Sequence, residues 1–245
     1  MNETHSLRIE SSAAKPMHEK VAATFLREKL LWARERSWNL LDEIRAQLKE
    51  GMTERQAFQL AMNLCATSGI SKQWHKPVIR FGPGTILTFA DELNDQYKLK
   101  RGDPIYIDLG PVWADQEYGL EYEGDVADSF IFDGQNIEAK KCIAAAREIF
   151  RATEEEWMKT KISGIELYNF IKKNVEKRGY KLVEEVEGHR ISDFPHHKYS
   201  KERLAKINFE PEPLLWVLEI QIKHPSLEIG AFFEDLLGLE KDRRI

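Results

Sequence analysis

IYIDLGPVW (residues 105–113) and EGDVADSFIF (123–132) are two apolar runs separated by a short polar stretch. WVLEIQIKH (216–224) and GAFFEDLLGL (230–239) repeat the arrangement more than a hundred residues later. Each run reads as a strand and each pair as a hairpin. Each strand sets an acid inside an apolar run: Asp108 and Asp125 in the first hairpin, Glu219 and Glu234 in the second. Side chains alternate faces along a strand. Asp108 therefore points with Tyr106 and away from Ile107, and Asp125 shares its face with Ala127 and Ser129. Asp128 falls on the opposite face, as does Asp235 relative to Glu234. Buried carboxylates are costly to desolvate unless something positive compensates them. Four of them on two matching hairpins imply a shared cationic partner, and a pair of metal ions is the simplest.

The helical segments repeat as well. GMTERQAFQLAMNLCATSGI (51–70) aligns without a gap on KISGIELYNFIKKNVEKRGY (161–180). Ala57 falls on Leu167, Phe58 on Tyr168, Ala61 on Ile171, Cys65 on Val175 and Gly69 on Gly179. The apolar positions mark one face of a short helix, and the glycine reads as its stop. A longer helix precedes each, over about 19–50 and 136–160. The pattern predicts an α+β fold of two pseudo-symmetric halves, about 19–135 and 136–240. Residues 19–245 are read as one domain and residues 1–18 as a polar tail, because only the turn Asp133-Gly134-Gln135 separates the halves.

The chain has 245 residues, 42% of them hydrophobic, and a formal net charge of −5. That charge argues against nucleic acid as a partner. No apolar run approaches membrane-spanning length. The N-terminal stretch lacks the apolar core of a signal peptide. Cys65 and Cys142 make neither a disulfide framework nor a zinc knuckle. Cytoplasmic location is the resulting expectation. FGPGT (81–85) reads as a turn and not a phosphate loop.

A nitrogen ligand belongs with the acids. VEGHRISDFPHHKYS (186–200) holds His189, His196 and His197 between the two hairpins. Carboxylates joined by imidazole suit divalent manganese, iron, cobalt or zinc. The order Asp, Asp, His, Glu, Glu, in the contexts IDLG, GDVADSF, GHRISDFPH, VLEIQ and FFEDLL, resembles the pita-bread metallopeptidases. These include methionine aminopeptidases, aminopeptidase P, prolidase and the non-peptidase creatinase. The resemblance covers about residues 20–240. It implies the pita-bread fold, a curved antiparallel sheet covered by helices. It also implies two divalent ions: Asp108 and Asp125 on one, Asp125 and Glu234 bridging to a second, and His189 and Glu219 completing that second site. His196, seven positions after His189, matches the family's substrate-side histidine. Glu219 becomes a proton shuttle and His196 an oxyanion stabiliser.

The function implied is metal-assisted hydrolysis of an amide near a peptide N-terminus, through a water activated on the metals. The alternatives are a creatinase-like enzyme acting on a small C–N-bond substrate, or a binding module that kept the fold. A peptide or small amide is the expected partner, with room for a homodimer. Four departures from the family pattern stand out. The substrate-side histidine about eighteen residues before Asp108 is missing near Ala90. Glu185 replaces a histidine four positions before His189. The two aspartates stand seventeen residues apart instead of eleven, with the surplus placed in the hairpin loop. Ile220 stands where proline is usual. The chain has the size of a minimal catalytic domain, without the extra N-terminal domain of prolidase and creatinase. His75 is a candidate replacement imidazole, and His75 and Phe89 are candidate substrate contacts. Trp74, Trp113 and Phe194 are further candidates for the pocket wall, and Asp115–Glu123 for an acidic rim.

Overall fold

The structure, a computed structural model, describes residues 17–239. Each half opens with two helices. The first half has α1 (Arg27–Gln47) and α2 (Glu54–Thr67); the second has α3 (Ile137–Thr160) and α4 (Gly164–Lys177). The two short helices start alike, with a reciprocal capping box. Thr53 pairs with Gln56 in α2, and Ser163 with Glu166 in α4, so two otherwise unpaired N-terminal amides are satisfied in each. They also stop alike. Gly69 and Gly179 sit at φ +83° and +77° just past the last turn, where a side chain would strain the backbone.

Strands β1 (Lys72–Phe81), β2 (Pro104–Ala114), β3 (Glu121–Glu123) and β4 (Val126–Ile131) follow the first helix pair. Strands β5 (Lys181–Leu182), β6 (His189–Arg190), β7 (Trp216–Lys223) and β8 (Gly230–Leu236) follow the second. All join one antiparallel sheet ordered β1-β2-β4-β8-β7-β5, with β3 on β2 and β6 on β7. The two hairpins meet at the centre, where Ala127 pairs with Glu234. Register carries the acids into a row: Asp108 pairs with Ala127, Ala127 with Glu234, and Glu234 with Glu219. Opposed residues share a face, so Asp108, Glu234 and Glu219 look the same way. The other face carries Ile107, Leu109, Leu218, Ile220 and Phe233 into the main core, which α1 and α3 cover.

The first helix begins later than its sequence pattern suggests, at Arg27 instead of about residue 19. Residues 17–19 form a single 3-10 turn, and tertiary contacts hold it. Buried Glu19 accepts hydrogen bonds from the Trp216 indole (3.0 Å) and the Glu212 amide (3.2 Å). Arg190 donates to the carbonyls of His18 (2.8 Å) and Lys20 (2.9 Å). These contacts reach across more than 150 residues, so local helix preference is overridden. Of the residues expected as a polar tail, 1–18, the first sixteen lie outside the described residues, and so do residues 240–245.

Candidate metal centre

Asp125 lies between β3 and β4 and is nearly fully buried. Both of its oxygens are engaged. Oδ2 accepts from the Trp74 indole (2.8 Å) and lies 2.9 Å from His189 Nε2. Oδ1 lies 3.1 Å from His75 Nε2, which is also 3.4 Å from Asp108 Oδ1. Glu219 turns Oε2 to the Gly188 amide at 2.5 Å. Asp108, Asp125, His189, Glu219, Glu234 and His75 all line one cavity of about 590 Å³. The five expected ligands therefore converge. Potential ligand atoms fall into two compact sets, His75-Asp108-Asp125 and Asp125-His189-Glu234, with Asp125 in both.

The electrostatics ask for cations. Burial pushes the Asp108 carboxyl up to about 7, against the pull of His75. Burial and the neighbouring charges of Asp125, Glu219 and Asp108 hold Glu234 well above the usual carboxylate range. Burial opposes ionisation of Asp125 too, but His75 and His189 outweigh it and hold its carboxyl low. Asp108 Oδ1 and Glu234 Oε1 are buried without a hydrogen-bond partner among the described residues. A buried carboxylate oxygen with no donor is costly, and a metal ion removes that cost. The donor set of carboxylates and imidazoles thus fits two divalent ions of the manganese, iron, cobalt or zinc type.

A second layer sets the orientation of the first. His189 Nδ1 meets the Arg190 carbonyl at 2.8 Å, which leaves Nε2 to face the acids. Behind β8, Asp235 takes two 2.5 Å hydrogen bonds from Arg34 and one of 3.1 Å from Trp38. Asp128 points away, as its register requires, and pairs with Arg147 at 2.6 Å.

Other expectations fare differently. His196 is buried in a side cavity of about 170 Å³ that shares Trp74, His189 and Arg203 with the main one. Its Nδ1 meets Glu123 Oε2 at 2.7 Å, and burial holds its imidazole in the neutral form. Phe89 lines the main cavity and is exposed. Trp74 also lines it. Trp113 does not: its indole donates to Ser37 beneath α1. Phe194 lies under the Lys72 ammonium and outside the main cavity wall. The acidic rim is not formed either. Asp115 and Glu117 pair with Lys29 of α1, and Glu123 is committed to His196.

Sequence reasoning placed His75 with the substrate; the structure sets it against two of the acids. It missed the Trp74 indole as a partner of Asp125. It also passed over Gly110, in the IDLG stretch. A Cβ on Gly110 would stand 2.3 Å from Trp74 Cδ1, 2.4 Å from His75 Cδ2 and 2.6 Å from His75 Nε2. Only glycine lets both rings lie against β2 there. The legible signal was a glycine inside a strand pattern, which marks close approach of another group.

Residues 28–239 match the model of metallopeptidase family M24. Among curated protein sequences, none matches. The fold is similar to that of an X-Pro aminopeptidase from Thermotoga maritima (TM-score 0.67, 18% identity, 87% of this chain and 61% of that one). It is similar to a prolidase from Pyrococcus furiosus (TM-score 0.63, 16% identity, 89% and 63%). It is also similar to a methionine aminopeptidase from Thermotoga maritima (TM-score 0.61, 14% identity, 87% and 96%). The chain thus spans under two thirds of the first two relatives and nearly all of the third. The pita-bread architecture implied by the family resemblance is the one these structures share.

Proposed function

This chain belongs to metallopeptidase family M24, and from that premise we propose that it is a hydrolase dependent on two divalent ions, cleaving an amide bond near the N-terminus of a short peptide. The observation that carries the reading is the in-register row of Asp108, Glu234 and Glu219 beside Asp125, with one oxygen each of Asp108 and Glu234 left without a donor among the described residues. Asp108 and Asp125 would hold one ion; Asp125, His189, Glu219 and Glu234 would hold the other. Bound ions supply Lewis-acid polarisation of the scissile carbonyl and activation of a water.

The chain's own groups do the rest. Glu219 has Oε2 fixed by the Gly188 amide, which leaves Oε1 to take a proton from the attacking water and pass it to the leaving amine. Phe58, Val78, Phe89 and Leu93 give the cavity an apolar wall, while Arg55, Lys76 and Arg203 give it cationic groups. A peptide with an apolar side chain and a free carboxylate matches both. The domain read as 19–245 would serve as one catalytic unit, since its two halves share one sheet over the described residues. Cys65 and Cys142 are free and buried, which favours a reducing, cytoplasmic setting, and no described helix is long and apolar enough to cross a membrane.

The test is a screen of short peptides and small amides, with the apo-protein loaded separately with manganese, iron(II), cobalt or zinc. Release of an N-terminal residue supports the proposal. Turnover confined to small amides, with every peptide inert, would replace it with a creatinase-like activity.

The two histidines should separate binding from turnover. His196→Ala should keep most bound metal while activity falls on the order of a hundredfold, the size of a lost acid or oxyanion contact. His189→Ala should lose metal and activity together. Metal analysis beside steady-state rates reads both, and a reversed pattern would mean the two roles are exchanged.

A further inference from the structure

We infer that His75 is itself a ligand of the ion held by Asp108 and Asp125, so that each half of the molecule gives one imidazole to the metal pair. The inference rests on the two-metal reading above and adds a donor for which neither the sequence pattern nor the family match calls.

Three observations carry it. The first is convergence. His75 Nε2 stands 3.1 Å from Asp125 Oδ1 and 3.4 Å from Asp108 Oδ1, and the latter oxygen has no hydrogen bond among the described residues. The ligand atoms of these three residues lie within 4.8 Å of one another. The second is orientation. His75 Nδ1 meets the carbonyl of Lys76 at 2.8 Å, just as His189 Nδ1 meets the carbonyl of Arg190 at 2.8 Å. In both residues Nδ1 donates to the carbonyl of the next residue, so Nε2 is the nitrogen turned to Asp125. Metal-binding histidines are set in this way. A cation between Nε2 and the two carboxylates would take the place of the Nε2 proton and be held by all three groups.

The third is the cradle. β1 departs from regular register on both sides of His75, between Gln73 and His75 and again between His75 and Val78. The departure brings the imidazole over Gly110 of β2, where any side chain would collide with it. The Trp74 ring stands edge-on to the imidazole at 5.5 Å and so fixes its plane. An imidazole held from three sides against two carboxylates is a built donor.

The consequence is a shift in metal preference at this site. A set of two carboxylates and one imidazole favours cobalt, iron or zinc more than an all-oxygen set would. Removing His75 should therefore weaken one of the two ions selectively.

The experiment is calorimetric titration of the apo-protein with cobalt(II), together with pulsed electron paramagnetic resonance of the manganese(II)-loaded protein to count coordinated imidazoles. The wild type should bind two ions and show two imidazoles. His75→Gln should show one imidazole and bind one of its ions at least about tenfold more weakly, since even losing a partner outside the ligand set costs 10–100-fold. Circular dichroism checks its fold. Should His75→Gln not fold, Gly110→Ala displaces the same ring and should weaken the same ion. Unchanged or tighter affinity in the variant that folds would overturn the inference, and would make His75 a protonated counter-ion to the acids instead. Failure of the wild type to bind any ion would sink the two-metal reading, which separates the two claims.

Discussion

Asp125→Asn is expected to abolish tight binding of both divalent ions and to lower amide hydrolysis at least about a thousandfold. Asp125 is the only residue shared by the two candidate ligand sets among the described residues, and both of its oxygens are already aimed. Lewis-acid stabilisation contributes several kcal/mol, and each 1.4 kcal/mol is a factor of ten in rate. The amide of asparagine keeps one acceptor but loses the charge, and its NH₂ group faces a ring nitrogen of His75 or His189. Asp128→Asn is the matched control. Its partner is Arg147 on the helix side of the sheet, so metal content should stay at the wild-type level. Elemental analysis and activity of the two variants test the claim together. Equal metal loss in both would mean that the face assignment of the whole strand is wrong.

That face assignment was readable from sequence because a strand has a strict period of two. Asp108, Asp125, Glu219 and Glu234 all fall where alternation puts them, and Asp128 and Asp235 fall on the other side. The capped short helices were readable for a similar reason: their apolar spacing and terminal glycines are local signals. His75 was not. Regular alternation puts it on the face of Ile79, which belongs to the main core. The break in β1 between His75 and Val78 moves it to the face of Asp108. Nothing in QWHKPVIRFG fixes such a break without the partner strand. The late start of α1 was hidden for a related reason, since Arg190 and Trp216 hold residues 18–20 from the far half of the chain. Local patterns were legible, and contacts created by closure of the two halves were not.

The cavity wall depends on one residue that the sequence did not single out. Arg80, on β1, is 1% exposed. Its guanidinium donates to Glu54 Oε2 (2.9 Å) and to the carbonyls of Thr88 (2.8 Å), Asp91 (2.5 Å) and Glu92 (2.8 Å). Glu54, at the start of α2, also accepts from the Asn94 amide at 2.8 Å. One buried ion pair thus ties the helix, the strand and the loop that brings Phe89, Asp91 and Leu93 to the cavity. Arg80→Ala should cost about 3–5 kcal/mol in a denaturant titration, because it leaves the Glu54 carboxylate buried without its cation. Arg80→Lys should recover only part of this, since an ammonium cannot offer the planar fork that reaches two partners from each end. Replacing both partners, as Arg80→Met with Glu54→Gln, should cost less than Arg80→Ala alone, because no charge then remains buried. At the site, the loop would loosen while the acids stay in their strands, so KM should rise with metal content retained. A cost below about 1 kcal/mol for Arg80→Ala would place this pair with surface salt bridges and remove it as the support of the cavity wall.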